Sequence, residues 1–466
     1  MSVTVNSRQV RVVAQNAIAL VPDVTMWNRE SSRLTVERSA GWKQNTSAAD
    51  VGGLFFPRTA ELGLRVEATV SVRVERKLVY AGVCAASFGK ASDHLRELAD
   101  LDISDERIRR ATLRVGTERS QQRQLLVEEF LRKPLPAQLY GKPANVTAPP
   151  LACVMADGGR YQVLDRRHPN ASGEHWRESR VATFLALDVK VHAIDPTPEL
   201  PEFLRDVSIA KTLAEIGRIP GKNTADADVQ PKVRREKEPP WPRPKILSKT
   251  MQASSVSWEN FGSIMASHAW YQGFNAAVSK VFVSDGSAAI EKVHQRYFSH
   301  YTSVLDLMHA LSYCLAAARA VTAENNEAWH QYVRWATFIW QGNVDVVIQE
   351  LDELQERIGE PEKGASQEDR REVIRRARVY YRNHKGRMNY PEYRKKGYPL
   401  TSSVMESSVK QIGQRVKGSE KFWSEIGGEA ILTMRGDYLS DSKPIDTYWR
   451  VAQATATGQR EYKQAA

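Results

Sequence analysis

Two short stretches share one shape, and that shape limits what this chain can become. Val281-Phe282-Val283-Ser284 is an apolar, β-branched run that ends on Asp285 and Gly286. A helical period follows at once, with Ile290, Val293 and Tyr297 on one stripe. Leu151 to Ala156 is a second apolar run, ending on Asp157 with Gly158 and Gly159 behind it. Each reads as a strand that delivers one carboxylate to its tip. Two such aspartates on one sheet can hold a divalent metal between them. Glu406, in Ser403-Val404-Met405-Glu406-Ser407-Ser408, is the third carboxylate of the set.

The chain has 466 residues, more than one compact core accommodates, so two or three domains are expected. At 42% hydrophobic and 26% charged residues, the composition is globular rather than fibrous or disordered. A net charge of +11 points to a polyanionic partner, nucleic acid before anionic membrane. Cys84, Cys153 and Cys314 are too few and too far apart for a disulfide framework or a zinc site, which suits a reducing cytoplasm. No apolar run reaches the roughly 18 residues of a membrane span, and the N-terminus does not read as a signal peptide.

In order, residues 1–90 carry little pattern apart from an alternation over 66–74 that predicts a strand. Over 91–133, a helix with Leu95 and Leu98 breaks at Asp100-Leu101-Asp102. Ser104 then caps a second helix with Ile108, Ala111 and Val115 on one face and Arg107, Arg109, Arg110 and Arg114 on the others. That is the pattern of a helix-turn-helix whose second helix enters the major groove, and equally of a plain helical hairpin with a solvated basic face. Prolines over 134–150 suggest a linker. Residues 151–440 form the main α/β domain, a mixed sheet with an exposed connector at 218–247 and a mainly helical block at 308–396. Residues 258–280 read as one helix, and residues 441–466 as a tail that frays beyond Trp449.

Within 371–396 basic residues, Arg387 among them, alternate with Tyr380, Tyr381, Tyr390 and Tyr393. Arginine interleaved with tyrosine suits a phosphate backbone and splayed bases, although a solvated helix face has the same charge pattern. Beyond Glu406, Lys410, Arg415 and Lys417 are further candidates for phosphate contact. Asp306, three residues before His309 and also near a strand end, competes with Asp285 for the metal.

Carboxylates are the right donors for Mg2+, a hard cation that prefers oxygen ligands, and Mn2+ is an alternative. Two such ions can cleave a phosphodiester by activating the attacking oxygen and stabilising the leaving one.

These motifs resemble the bacterial insertion-sequence transposases of the DDE class, most closely the Kra-type group, distant relatives of Mutator-like elements. The matching pieces are Met155-Ala156-Asp157-Gly158, His175-Trp176-Arg177-Glu178, Val283-Ser284-Asp285-Gly286 and Leu305-Asp306-Leu307-Met308-His309. The most specific is Tyr398-Pro399-Leu400 through Met405-Glu406-Ser407, continued by Gly413-Gln414-Arg415-Val416-Lys417-Gly418-Ser419 and Trp423. The lead-in Thr401-Ser402-Ser403 departs from the family pattern in lacking glycine. The resemblance implies a ribonuclease H-like domain with a helical insertion before the glutamate. It also implies Asp157, Asp285 and Glu406 as the catalytic triad, His309 close to it, and a DNA-binding region around 91–118.

The expected function is therefore a cytoplasmic, nucleoid-associated DNA transposase that acts on double-stranded DNA as a dimer or higher assembly. A ribonuclease H-like nuclease that cuts without joining, and a non-catalytic DNA-binding protein on the same scaffold, are the alternatives.

Overall fold

The computed structural model describes residues 70–164, 175–217, 242–322, 324–418 and 421–456. Most of the weakly patterned start, the connector at 218–241 and the end of the tail at 457–466 lie outside the described residues. Among the described residues, no helix is long and apolar enough to cross a membrane.

Among the described residues, three helices come first. Helix α1 (Val72–Cys84) takes the last three residues of the stretch 66–74 whose alternation predicted a strand, and 66–69 lie outside the described residues. Val72, Val79 and Val83 recur at helical spacing and are buried, and this longer period wins over the short alternation. Helix α2 (Phe88–Ala99) ends on Asp100, which takes the left-handed conformation at φ 52°. Helix α3 (Asp105–Leu131) then runs unbroken for 27 residues. It is no short recognition helix: Ile108 and Val115 pack on α1 and its neighbours, while Val127 and Phe130 join the core of the sheet. The proline-rich stretch after it carries a short helix α4 (Leu135–Tyr140) and is fastened down. Trp270 Nε1 donates to the Ala137 carbonyl, and Asn275 Nδ2 to that of Gln138.

The sheet follows. Strands β1 (Leu151–Val163) and β2 (Trp176–Asp188) are antiparallel, and after short helices α5 (Glu202–Arg205) and α6 (Ile209–Gly217) comes β3 (Lys245–Ser254), antiparallel to β2. Helix α7 (Trp258–Tyr271) is shorter than expected. Gly273 turns the chain at φ 74°, and β4 (Ser279–Ser284) begins inside the stretch read as helical. β4 runs parallel to β1, and after α8 (Ala288–Tyr297) β5 (Thr302–Leu305) runs parallel to β4. Five helices come next: α9 (Leu307–Val321), α10 (Asn325–Trp340), α11 (Val344–Ile358), α12 (Arg370–His384) and α13 (Tyr390–Lys395). Helix α14 (Ser403–Val416) returns to the sheet, followed by β6 (Phe422–Trp423), α15 (Glu425–Leu439) and α16 (Pro444–Ala456).

The result is a six-stranded mixed sheet in the order β3-β2-β1-β4-β5, with β6 pairing the far end of β1. Alternate residues of β1 feed two cores. Leu151, Cys153 and Met155 face the helical block and α14, whereas Ala152, Val154 and Ala156 face α7, α8 and the end of α3. The tail does not fray at Trp449: α16 continues to Ala456 and buries Tyr448, Trp449 and Ala452 against α1 and α3. Half-buried Glu429 ties α15 to β3 and α3, accepting from Ser254, from the amide and hydroxyl of Ser255, and from Arg123.

Candidate functional site

β1 does not stop at Asp157 but runs on through Gly158 and Gly159 to Val163. What ends there is its pairing with β4, which covers Leu151 to Met155 only. On that side β1 next pairs at Gln162 and Val163, with β6. Asp157 therefore sits where two parallel strands part, the place where a sheet of this kind opens a crevice.

The register continues the argument. Met155 pairs with Val283, and Val283 with Val304. Two residues further along each strand, Asp157, Asp285 and Asp306 fall in one row. Side chains two apart lie on the same face, so all three belong to the face that carries Met155 and Val283.

The row is not used evenly. Asp306 is 1% exposed and spends both oxygens inside the protein. Its Oδ1 accepts from the amides of Met308 and His309 at the start of α9. Its Oδ2 accepts from the Ser402 amide at 2.7 Å and from the Ser402 hydroxyl. A carboxylate saturated in this way has both oxygens engaged within the protein, whereas Asp285 has a hydrogen bond to Oδ1 alone.

Asp157 and Asp285 each accept at Oδ1 from a backbone amide just beyond them, Gly158 at 2.6 Å and Ser287 at 2.8 Å. Burial, then the negative charge of Asp285, raises the Asp157 carboxyl to about 6, with Glu406 adding in the same direction. Glu406 lies in the first turn of α14, one turn before Val409. That valine lies so close to Gly159 that a Cβ there would come within 3.3 Å of it, which lays the Glu406 side of α14 over the Asp157 stretch of β1.

His309 is the resident counter-charge. Its Nδ1 is 3.6 Å from Asp306 Oδ2, an ion-pair separation rather than a hydrogen bond. Burial opposes its charged form, but the carboxylates of Asp306, Asp285 and Asp157 outweigh it and raise the imidazole to about 9.

Sequence reading missed what holds this row in place. Tyr380 donates its hydroxyl to the Asp285 carbonyl at 2.9 Å, Tyr390 to that of Leu305 at 3.2 Å and Tyr393 to that of Ser303 at 3.3 Å. Tyr381 does the same for Ala310 in α9, at 2.8 Å. These are the tyrosines expected to stack on bases. All four are buried, and their hydroxyls satisfy backbone carbonyls instead, three of them in or just beyond β4 and β5 and one in α9. The clustering of Tyr380, Tyr381, Tyr390 and Tyr393 among basic residues is visible in the sequence; the direction in which they face is not.

The basic residues divide sharply. Arg387 is buried and bonds Ser284, Ser303, Glu291 and His384, so it braces β4 and β5 and faces no phosphate. Arg415 is buried between the rings of Phe88 and Trp423, donates to the carbonyls of Gly82 and Ala86, and is pulled down to about 10 by burial. In both, the arginine stem packs along apolar surface and the head is satisfied inside the protein, by side chains for Arg387 and by carbonyls for Arg415. Arg114 pairs with buried Glu75 and with Glu118, and Arg110 with Glu106. Arg107 is half-buried, whereas Lys410 and Lys417 stand exposed on and just beyond α14.

The donor chemistry fits a hard divalent cation: three carboxylates, two of them in register on neighbouring strands, with charge repulsion that a cation would relieve. Among the described residues, no three His, Cys, Asp or Glu side chains are gathered into a ready metal cage. No protein-family model matches this chain, and no curated protein matches it.

Proposed function

We propose that this chain is a DDE-type DNA transposase with a ribonuclease H-like catalytic domain, in which Asp157, Asp285 and Glu406 are the catalytic carboxylates. One observation carries the reading: Asp157 and Asp285 occupy matching positions on adjacent parallel strands, under the helix that bears Glu406. The strand order β3-β2-β1-β4-β5, antiparallel through β1 and parallel beyond it, supports the same fold. So does the helical block between β5 and α14.

Mg2+ or Mn2+ held by these three residues supplies activation of the attacking water or 3′-hydroxyl and charge stabilisation at the leaving oxygen. The protein's own part is orientation. The Gly158 and Ser287 amides fix one oxygen of each aspartate and leave Oδ2 as a ligand. Glu406, on a side chain with three rotatable bonds, swings in from α14 to complete the set. His309 keeps part of the negative charge compensated. Lys410 and Lys417 flank α14 as contacts for phosphate. Two element ends must be held together for joining, so the active form on DNA contains at least two copies.

The test is nicking of supercoiled plasmid in Mg2+ or Mn2+. Asp285→Asn is expected to abolish nicking while duplex binding changes by less than about threefold; retained nicking sinks the assignment. A precleaved 3′-hydroxyl end added to the same assay separates a joining enzyme from a nuclease. The absence of a closed three-ligand cage among the described residues favours one second reading, a DNA-binding protein that does not cut. It predicts plasmid binding with no metal-dependent nicking at all.

A further inference from the structure

A groove of about 210 Å3 opens beside Asp285, along α12. Its floor is the stacked pair Tyr313 and Tyr380, with ring centroids 3.9 Å apart and planes 11° from parallel. The Tyr380 hydroxyl reaches the Asp285 carbonyl, so floor and catalytic strand are in direct contact. Its end wall is His384, packed so tightly on Gly286 that a Cβ there would lie 2.8 Å from Nε2. Gly286 also has φ +94°, a conformation that suits glycine.

The lining is built of donors. Arg387 approaches His384 Nδ1 at 2.6 Å. Arginine has no acceptor, so Nδ1 must accept and the imidazole proton sits on Nε2. Burial, then the charge of Arg387, holds this imidazole down to about 4, so it stays neutral at physiological pH. Arg376 and Asn383 are exposed at the rim, and Arg375 keeps 39% of its side chain in solvent while paired with Glu372. No acidic residue lines the groove.

We propose that this groove binds a phosphate of the DNA strand next to the scissile bond, with Arg376 supplying charge and the His384 Nε2–H and Asn383 amide supplying hydrogen bonds. The assignment rests on the DNA-transposase reading for its ligand but not for its chemistry. A phosphate held there would fix the strand within reach of Asp285, over a floor whose Tyr380 hydroxyl already bonds that residue's carbonyl.

Two probes test it on the full chain. The first is a short DNA duplex followed by fluorescence anisotropy over a salt series; the second is thymidine 3′,5′-bisphosphate followed by thermal shift. Arg376→Ala is expected to weaken duplex binding about 3- to 10-fold and to lower the slope of log affinity against log salt by about 1. It is also expected to abolish the stabilisation by the bisphosphate. Arg334→Ala, which removes the same charge from α10 where Arg334 pairs with Glu350, is the control and is expected to change neither. An Arg376→Ala protein that matches Arg334→Ala in both assays overturns the groove. A wild-type protein that binds the bisphosphate through Arg376 yet neither binds nor nicks DNA upholds the phosphate site and removes the transposase reading.

Discussion

Asp157 carries the tension in this molecule. Its carboxyl is raised from 3.8 to about 6 by burial and by Asp285, so keeping it ionised costs the folded state free energy that the unfolded chain does not lose. The sign follows from linkage: with the folded value above the unfolded one, its contribution to stability is complete below about 3.8 and gone once pH passes about 6. Asp157→Asn removes the penalty. At pH 7.5 it is expected to stabilise the protein by about 1–2 kcal/mol while eliminating nicking. Thermal unfolding of the two proteins checks this, and a lower melting temperature for the variant contradicts it. Asp306 is the opposite case, a buried carboxylate with every oxygen satisfied. Asp306→Ala leaves the Ser402 amide and two helix-terminal amides without an acceptor, and a loss of about 3 kcal/mol is expected in urea unfolding.

At the scale of elements, the helical block between β5 and α14 works as a brace. Its tyrosines and Arg387 grip the ends of β4 and β5, and Asp306 grips Ser402 just ahead of α14, so the block sets where Asp285 and Glu406 stand. Tyr380→Phe keeps the ring and removes only the hydrogen bond to the Asp285 carbonyl. About 1 kcal/mol of stability is expected to go with it. The nicking rate is expected to fall about tenfold with DNA affinity unchanged, because a small displacement of a catalytic group is felt strongly in the rate. Equal rates for Tyr380→Phe and wild type would remove the bracing role. Much of this was legible in the sequence. The two apolar runs ending on Asp157 and Asp285 are strands, the break at Asp100 is real, and the block after β5 is helical. What misled was any signal with two physical meanings. Over Val72 to Val74 the alternation lost to a helical period once α1 had a partner to pack on. The tyrosines at 380–393 look identical whether they face a base or a carbonyl. Arg387 and Arg415 look like surface charge until tertiary packing encloses them. Ser402, where the glycine-free lead-in departs from the family pattern, carries no mark in the sequence of its bond to Asp306, because the two are brought together only by the fold.

The first and last described helices belong to one interleaved body. α16 packs on α1, and α3 crosses from the N-terminal helices to the sheet core. Four half-buried histidines resist protonation: His268 is lowered to about 3, His300 and His384 to about 4, and His294 is lowered as well, desolvation being the leading cause in each. The unfolded chain takes up those protons near pH 6.5, so their contribution to stability is present above that value and lost as pH falls toward 4. His309, raised to about 9, runs the other way, with stability full below about 6.5 and lost as pH rises through about 9. Stability is therefore expected to peak near pH 6.5. Urea midpoints measured from pH 4.5 to 9.5 test this, and a flat profile between 4.5 and 6.5 contradicts it.

The central claim is that Asp157, Asp285 and Glu406 act as one divalent-metal site. Mn2+ uptake, followed by electron paramagnetic resonance in the full-length protein, tests it most directly. Wild type is expected to bind Mn2+, and Asp157→Asn, Asp285→Asn and Glu406→Gln are each expected to weaken binding by about tenfold or more. Wild-type affinity in the Asp285→Asn or Glu406→Gln protein, or no uptake by wild type, would contradict it.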